Sequence, residues 1–351
     1  MPLNLTDSFS VTQTLGRLMI SSLLLTLPLL LFTQVACAQE GSDAHYNEDV
    51  GWTVDAEIDT VRTEAGADFV VERVEGIDPR YESIIRQLVA EGEWKESFVR
   101  DLFTDDRTVY IPKMVAVKPR KPVNKSDWYS WVNTSESSAA CIDFIGRHDS
   151  LLTAVEKKYG VEKATIAALL RCETKHGTVT GDYHVLSVYA SLALMPEEWA
   201  IAENVEYAAR VMKEEGKSQR EISNEIAYIK NRSVKRGKWA YNQLKHVLRI
   251  HASGTLDVRD LYGSWAGAFG WAQFIPSSYR SLAIDGNGDG TINLYHAPDV
   301  IHSVAYYLSQ GGYRAGSSAR IKKALKSYNP SNEYANSIYA LSRRVIADMG
   351  N

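Results

Sequence analysis

Apolar residues recur at helical spacing along most of this chain, and the clearest example is Ala164 to Gly177, ATIAALLRCETKHG. There Ile166, Leu169, Leu170 and Glu173 stand at i, i+3, i+4 and i+7, one face of an α-helix. Three of the four are apolar, so the face turns inward and carries a carboxylic acid with it. Gly177 follows as the expected stop. The same spacing predicts a helix over Asp78 to Phe103, through Ile84, Ile85, Leu88 and Val89 and then Trp94, Phe98, Val99 and Leu102. A helix over Ser150 to Tyr159 has Asp149 as candidate N-cap and Gly160 as stop. Pro196 to His251 is helical in pattern and heavily charged, with breaks at Gly216 and Gly237, and reads largely as a surface bundle. Ile301, Val304, Ala305 and Leu308 form another face, ending at Gly311-Gly312. A short basic helix, Lys322 to Lys326, is broken by Tyr328-Asn329-Pro330. Asn332 or Glu333 opens a last helix with the face Ala335, Ile338, Ser342, Val345 and Met349. With no internal repeat and no sustained period-two alternation, the expected fold is mainly α.

Five stretches escape this pattern. Leu18 to Phe32 is an apolar run behind Arg17, too short for the ~20 residues of a membrane span. Ala36-Cys37-Ala38 follows it as a small-residue cleavage site, so residues 1–38 read as a secretory signal, with no transmembrane span left in the mature chain. The rival reading, an outer-membrane lipoprotein anchored at Cys37, is less favoured because Gln34 stands where an aliphatic residue is usual. Residues 39–77 are acidic and read as a flexible leader. Pro112 to Lys125, with three prolines among five Lys and Arg, reads as a solvated, extended connection. Trp128, Tyr129 and Trp131 come next, either lining a groove or packing in the core. Residues 78–140 therefore read as an N-terminal helical lobe and linker, and 141–351 as the main body. In Tyr262 to Tyr279, YGSWAGAFGWAQFIPSSY, glycines alternate with large aromatics, which lets a ligand or a second backbone approach closely.

Composition adds the class. The chain has 351 residues, 45% hydrophobic and 23% charged, as in ordinary globular proteins. A net charge of −4 makes it a poor nucleic-acid binder. Nineteen Tyr and eight Trp serve packing, or the stacking of sugar rings. Cys141 and Cys172 remain beyond the leader, either bridged in an oxidising compartment or buried as free thiols.

Two features carry chemistry. In the last turn of a helix, with an apolar face around it, Glu173 loses hydration and meets the negative end of the backbone dipole. Both disfavour its anion and raise its pKa. A Glu that holds a proton near neutral pH is what glycosidic cleavage requires, since the leaving oxygen must be protonated. The plainer alternative is a solvated Glu paired with Lys175. The second feature is Asp285 to Asp299, DGNGDGTINLYHAPD. Asp285, Asn287 and Asp289 occupy positions one, three and five of an EF-hand-like loop. Gly290 makes the turn, Thr291 offers its carbonyl, and Ile292 is the apolar anchor. Position twelve is His296, so Asp299 closes a longer loop. Oxygen donors at alternate positions suit Ca2+; a plain Asp/Asn/Gly turn is the alternative.

Taken in order, these motifs resemble the B-type lytic murein transglycosylases of Gram-negative bacteria (glycoside hydrolase family 103). GxxAxxxxGxxQFxPSSY is matched by Gly263, Ala266, Gly270, Gln273, Phe274, Pro276, Ser277, Ser278 and Tyr279. Ile292-Asn293-Leu294 in the acid-rich loop, Ser303 to Tyr307, and Tyr328-Asn329 follow, with Glu173, Thr174 and Gly177 upstream. The resemblance implies a lysozyme-like core with a helical N-terminal lobe and a small EF-hand-like calcium loop. It also implies Glu173 as the single catalytic acid, later base. Ser264, Gln273, Tyr307, Tyr328, Asn329 and an aromatic such as Trp131 would contact substrate. The implied reaction is cleavage of the β-1,4 bond between N-acetylmuramic acid and N-acetylglucosamine, leaving 1,6-anhydro ends. The implied setting is the periplasm, with peptidoglycan strands and other cell-wall enzymes as partners. Lys175-His176 departs from the family pattern, where an Arg and an aromatic are expected, and the stretch from Glu173 to Ser264 is long. Two other readings of the same residues are a hydrolytic muramidase, needing a second carboxylate such as Asp182 or Asp257, and an inactive wall-binding protein.

Overall fold

The computed structural model describes residues 75–120 and 129–350; the signal segment, Cys37, most of the acidic leader and Trp128 lie outside the described residues. Thirteen α-helices and one two-stranded ribbon follow one another among them. The N-terminal helices are α1 (Glu82–Ala90), α2 (Glu96–Thr104) and the single turn α3 (Pro112–Val115). Then come α4 (Ser135–Arg147), α5 (Asp149–Tyr159) and α6 (Lys163–Thr174). Strand β1 (Tyr183–His184) leads into α7 (Val185–Ala193), α8 (Glu198–Glu214) and α9 (Gln219–Ala252). Strand β2 (Tyr262–Gly263) pairs antiparallel with β1, and α10 (Pro276–Leu282), α11 (Ala297–Gln310), α12 (Ser318–Tyr328) and α13 (Asn332–Met349) complete the order. One continuous apolar core runs from Tyr81 to Val345. Among the described residues, no helix is long and apolar enough to cross a membrane.

At the centre lies α6. Ala164 and every residue from Ile166 to Leu170 are almost fully buried, so the helix has no solvent face over two turns. Against it pack α4 and α13. α4 starts where the Thr134 hydroxyl accepts the amide of Ser137, and α13 starts where the Ser331 hydroxyl accepts that of Tyr334.

Several elements differ from the expected ones, each for a local reason. The helix expected over 78–103 is two helices, because the chain turns at Gly92, where φ is +75°. The described part of the stretch after Pro112, residues 112–120, is not simply a solvated connection. Val115 and Val117 are buried, and Asn204 of α8 holds the backbone at both residues. Gly237 does not break α9, which runs through it. A side chain there would collide with Pro196, at 2.3 Å from a Cβ, so the glycine serves close packing. The second half of α9 is core rather than surface, burying Leu244, Val247 and Leu248 against α7. α6 ends at Thr174, three residues before Gly177: Lys175 itself takes the left-handed conformation, at φ +49°. The last helix opens at Asn332 as expected, with Ser331 as its cap, but Met349 lies exposed beyond its buried face. Cys141 and Cys172 are free and buried.

The glycines of the 263–270 segment are required by contact. A Cβ on Gly263 would stand 2.1 Å from the carbonyl oxygen of Ala268, a backbone atom that cannot swing away. Gly263→Ala is expected to lower unfolding free energy by about 2 kcal/mol or more. Gly146→Ala, in α4 with open space around it, is expected to be neutral or to stabilise by up to ~1 kcal/mol. Urea melts of the two variants check the contrast; equal effects would mean the close approach is unimportant.

Candidate active site

Glu173 occupies the last turn of α6, and its surroundings come from four segments. Tyr334, the third residue of α13, donates its hydroxyl to Glu173 Oε1 at 2.5 Å. The Ser331 cap fixes that first turn, so the phenol is aimed by the same hydrogen bond that starts the helix. The Tyr334 ring lies parallel to Tyr328 at 6.4 Å and edge-on to Tyr129 at 5.7 Å. Tyr328 in turn sits 4.6 Å from Tyr307 and 5.9 Å from Phe274, so the wall of rings runs on away from the acid.

This wall sets the protonation state. Removal from water is the dominant influence on Glu173 and pushes its pKa up to about 7, while the Tyr334 hydroxyl, bonding the anion, pulls the other way. The same burial pushes Tyr307 up to about 12 and Tyr328 and Tyr334 well above their ordinary values, so all three stay neutral donors. No other carboxylate among the described residues acts on Glu173.

Thr174 fixes the end of α6 to the glycine-rich segment. Its hydroxyl donates to the Trp271 carbonyl at 2.7 Å and accepts the Gly177 amide at 2.9 Å. The Trp271 indole then lies on Gly177, where a Cβ would come within 2.2 Å of Nε1. This contact, not helix termination, is what the glycine is for. The expectation that Lys175-His176 alters the neighbourhood of the acid meets a different arrangement for His176. Its ring stacks on Phe144 at 4.4 Å and its Nε2 meets the Ala167 carbonyl at 3.0 Å, behind α6. Burial there lowers its pKa to about 4, so it is neutral.

The other sequence candidates fall into three groups. Tyr307, Tyr328 and Asn329 belong to the ring wall. The Tyr328 hydroxyl donates to the Ala272 carbonyl, that of Tyr307 to the Ser327 carbonyl, and the Asn329 side chain faces Tyr129. Ser264 and Gln273 flank the glycine-rich turn. Ser264 donates its amide to Ala268 O at 2.8 Å, and Gln273, at φ +50°, gives its side-chain amide to the carbonyls of Thr180 and Gly270. Trp131 is packed against the core near the start of α4, and Tyr129 is the aromatic of that stretch that reaches Tyr334. Sequence reasoning missed Tyr334, and it placed Tyr129 among the aromatics of that stretch without singling it out. A signal for the first existed, since Tyr334 continues the face of Ile338 and Ser342 by one turn.

The acid-rich loop stands directly behind this segment. Leu294 accepts the Trp271 amide at 2.9 Å, and Ile292 accepts the Tyr279 hydroxyl at 2.7 Å. Asp299 is wholly buried and binds the loop at both ends, taking the amides of Gly286 and Asn293. Asp285 takes the amides of Gly288 and Gly290, and Asp289 takes the amide and hydroxyl of Thr291. Asn287 donates its side-chain amide to Asp289. Among the described residues, no three His, Cys, Asp or Glu side chains are grouped as metal ligands. The donors present, Asp285, Asn287, Asp289 and the Thr291 carbonyl, are all oxygen, the kind a hard cation takes.

Comparison with known proteins agrees with this architecture. The family model described as "Transglycosylase SLT domain" matches residues 76–322, and the chain belongs to that family. Membrane-bound lytic murein transglycosylase B of Escherichia coli (strain K12) is 27% identical over 173 residues, 49% of this chain and 38% of that protein. The match thus spans well under half of that relative's length. Soluble lytic transglycosylase SltB1 of Pseudomonas aeruginosa superposes with a TM-score of 0.60 at 20% identity, covering 78% of this chain and 100% of that one. Escherichia coli lytic transglycosylase Slt35, in complex with calcium, gives 0.59 at 18% identity, covering 80% and 97%. These structural matches establish a lysozyme-like lytic transglycosylase fold.

The raised pKa has a sign that can be measured. In the folded chain Glu173 holds its proton to about pH 7, and in the unfolded chain only to the ordinary carboxylate range. Wild-type stability owed to this group is therefore full below the unfolded value and lost as pH rises to about 7. Glu173→Gln has no such loss, so its stability relative to wild type should increase by about 3 kcal/mol between pH 4 and pH 8. Tyr334→Phe removes the donor that favours the anion and should move the window to higher pH. A pH-independent difference in denaturant melts would contradict the assignment.

Proposed function

We propose that this protein is a peptidoglycan lytic transglycosylase, a carbon–oxygen lyase that cuts the β-1,4 bond from N-acetylmuramic acid to N-acetylglucosamine. The observation that carries the reading is one half-buried carboxyl, neutral to about pH 7, held by a phenol at the end of an aromatic wall. Glu173 protonates the departing glycosidic oxygen. The C6 hydroxyl of the same muramic residue attacks the anomeric carbon, and the Glu173 carboxylate takes that hydroxyl's proton, leaving a 1,6-anhydro end. Because the nucleophile belongs to the substrate, its effective concentration is high and a second carboxylate is unnecessary. The substrate's acetamido group can stabilise the positive anomeric centre, as in substrate-assisted glycosidases.

The remaining residues have supporting roles. Rings Tyr307, Tyr328 and Tyr129 form the saccharide wall, Asn329 and Ser264 bind its polar groups, and Gln273 shapes the turn that faces the sugar. The hydrolytic reading gains nothing from geometry: Asp182 is exposed, and Asp257 is engaged with Arg259 and His251. Export to the periplasm by the 1–38 signal, with glycan strands and other cell-wall enzymes as partners, completes the proposal.

Purified sacculi incubated with the protein should release muropeptides with anhydro ends, read by mass spectrometry. Glu173→Gln should reduce release by about a thousandfold or more. Reducing ends would favour the hydrolase, and no release from the wild type would favour an inactive binder.

Calcium is part of the same proposal. Asp285, Asn287, Asp289 and Thr291 would hold it, with Asp299 ordering the loop. The ion would supply charge compensation and rigidity behind Trp271, outside the reaction itself. Adding Ca2+ at about a hundred times its Kd should raise stability by ~2.7 kcal/mol, and Asp285→Ala should remove that gain. A melting temperature indifferent to both Ca2+ and chelator would refute the site.

A further inference from the structure

The turn directly after Glu173 and Thr174 is held in an unfavourable backbone conformation. Lys175 and His176 lie in the left-handed region at φ +49° and +58°, and Gly177 follows at +88°. Among the described residues, Gln273 is the one other non-glycine residue with a positive φ. A residue with a Cβ occupies this region at a cost and persists there only where its surroundings hold it.

The next five residues show what the turn accomplishes. Gly177 lies under the Trp271 indole, the Thr180 carbonyl accepts the Gln273 side-chain amide at 3.1 Å, and a Cβ on Gly181 would overlap the Gly263 carbonyl. Residues 177–181 thus run closely along the glycine-rich segment. That segment in turn anchors the ring wall, because Tyr328, stacked on Tyr334, donates its hydroxyl to the Ala272 carbonyl. In the right-handed conformation Lys175 and His176 would extend α6 by about half a turn and carry 177–181 off the segment.

The His176 side chain clamps this turn to two helices. Its ring lies parallel to that of Phe144 on α4, at 4.4 Å and 7°. Its Nε2 meets the Ala167 carbonyl of α6 at 3.0 Å, with Cys141 Sγ at 3.9 Å. A carbonyl only accepts, so Nε2 carries the proton. Without the imidazole, Ala167 O keeps its own helical partner, so the flat stack is the part of the clamp that matters and that a neutral aromatic can replace. Arg171 of α6 and Arg147 and Asp143 of α4 are the charged groups around the ring, and burial outweighs them and leaves it neutral.

We propose that His176 is a positioning residue for Glu173: its stack on Phe144 holds the left-handed turn, and the turn holds the glycine-rich segment and the ring wall around the acid. The inference rests on the transglycosylase reading of the site and deepens it. Tyr334, Tyr328, Tyr129 and Cys172 face Glu173, and burial keeps each of them neutral. Access of water is therefore what a loosened wall changes, and removal from water is the main cause of the raised Glu173 pKa.

The test titrates the Glu173 carboxyl by 13C NMR in the full chain, in wild type, His176→Ala and His176→Phe, with folding checked by circular dichroism. The midpoint should fall by about one pH unit or more in His176→Ala, toward the ordinary carboxylate range, and stay within about 0.3 unit of wild type in His176→Phe. Release from sacculi at pH 7 should then fall about fivefold in His176→Ala, because fewer molecules hold the proton. His176→Leu fills the space without a ring face; it replaces an alanine variant that does not fold and should show the same fall. An unchanged midpoint in the alanine or leucine variant, or a phenylalanine variant shifted as far as alanine, overturns the proposal. A wild type that releases nothing from sacculi, while the midpoint still falls in His176→Ala, would refute the transglycosylase reading and uphold the positioning role.

Discussion

The hydrogen bond from Tyr334 to Glu173, inside a wall of rings, is the contact on which the rest of the site depends. A carboxylate in that position is short of water and has one phenol to replace it, so the neutral acid is the favoured form up to about pH 7. The arrangement is balanced: more burial would lock the proton in place, and more donors would release it too early for an acid catalyst. A tyrosine fits because it remains neutral and supports the anion only in part. Lys or Arg in its place would hold the carboxylate ionised.

Keeping that contact requires three parts of the chain to meet within an ångström or so. Ser331 starts α13 and thereby orients Tyr334. Thr174 ties the end of α6 to the Trp271 backbone. The acid-rich loop, through Leu294, holds Trp271 from the other side. Closely approaching backbones explain the glycines better than flexibility does. At Gly177 and Gly263 a methyl group would overlap an indole and a carbonyl. The loop lies two contacts from the acid, so on the proposed reading a cation there would act on the rigidity of the cleft and not on the sugar.

Much of this was legible in the sequence because it depends on local spacing. The inward face of α6, the acid at its end and the alternating oxygen donors of 285–299 follow from periods of 3.6 and two residues. What could not be read depends on pairs distant along the chain. Tyr334 is 161 positions from Glu173, and nothing local distinguishes it from any tyrosine on a buried helix face. Gly177 and Gly237 looked like helix punctuation, and both proved to be contact points with Trp271 and Pro196. Propensity cannot distinguish these uses of glycine, since the partner backbone or ring is invisible in the window. His176 shows the converse. Its place beside the acid in sequence suggested an altered subsite, but a left-handed turn at Lys175 sends its ring behind the helix.

Whether Glu173 can act as an acid turns on its proton. Titrating the Glu173 carboxyl directly, by 13C NMR of side-chain-labelled protein with Glu173→Gln to assign the resonance, should give a midpoint near pH 7. A midpoint in the ordinary range of an exposed glutamate, near 4.3, would show an ionised group in a hydrated site and contradict it.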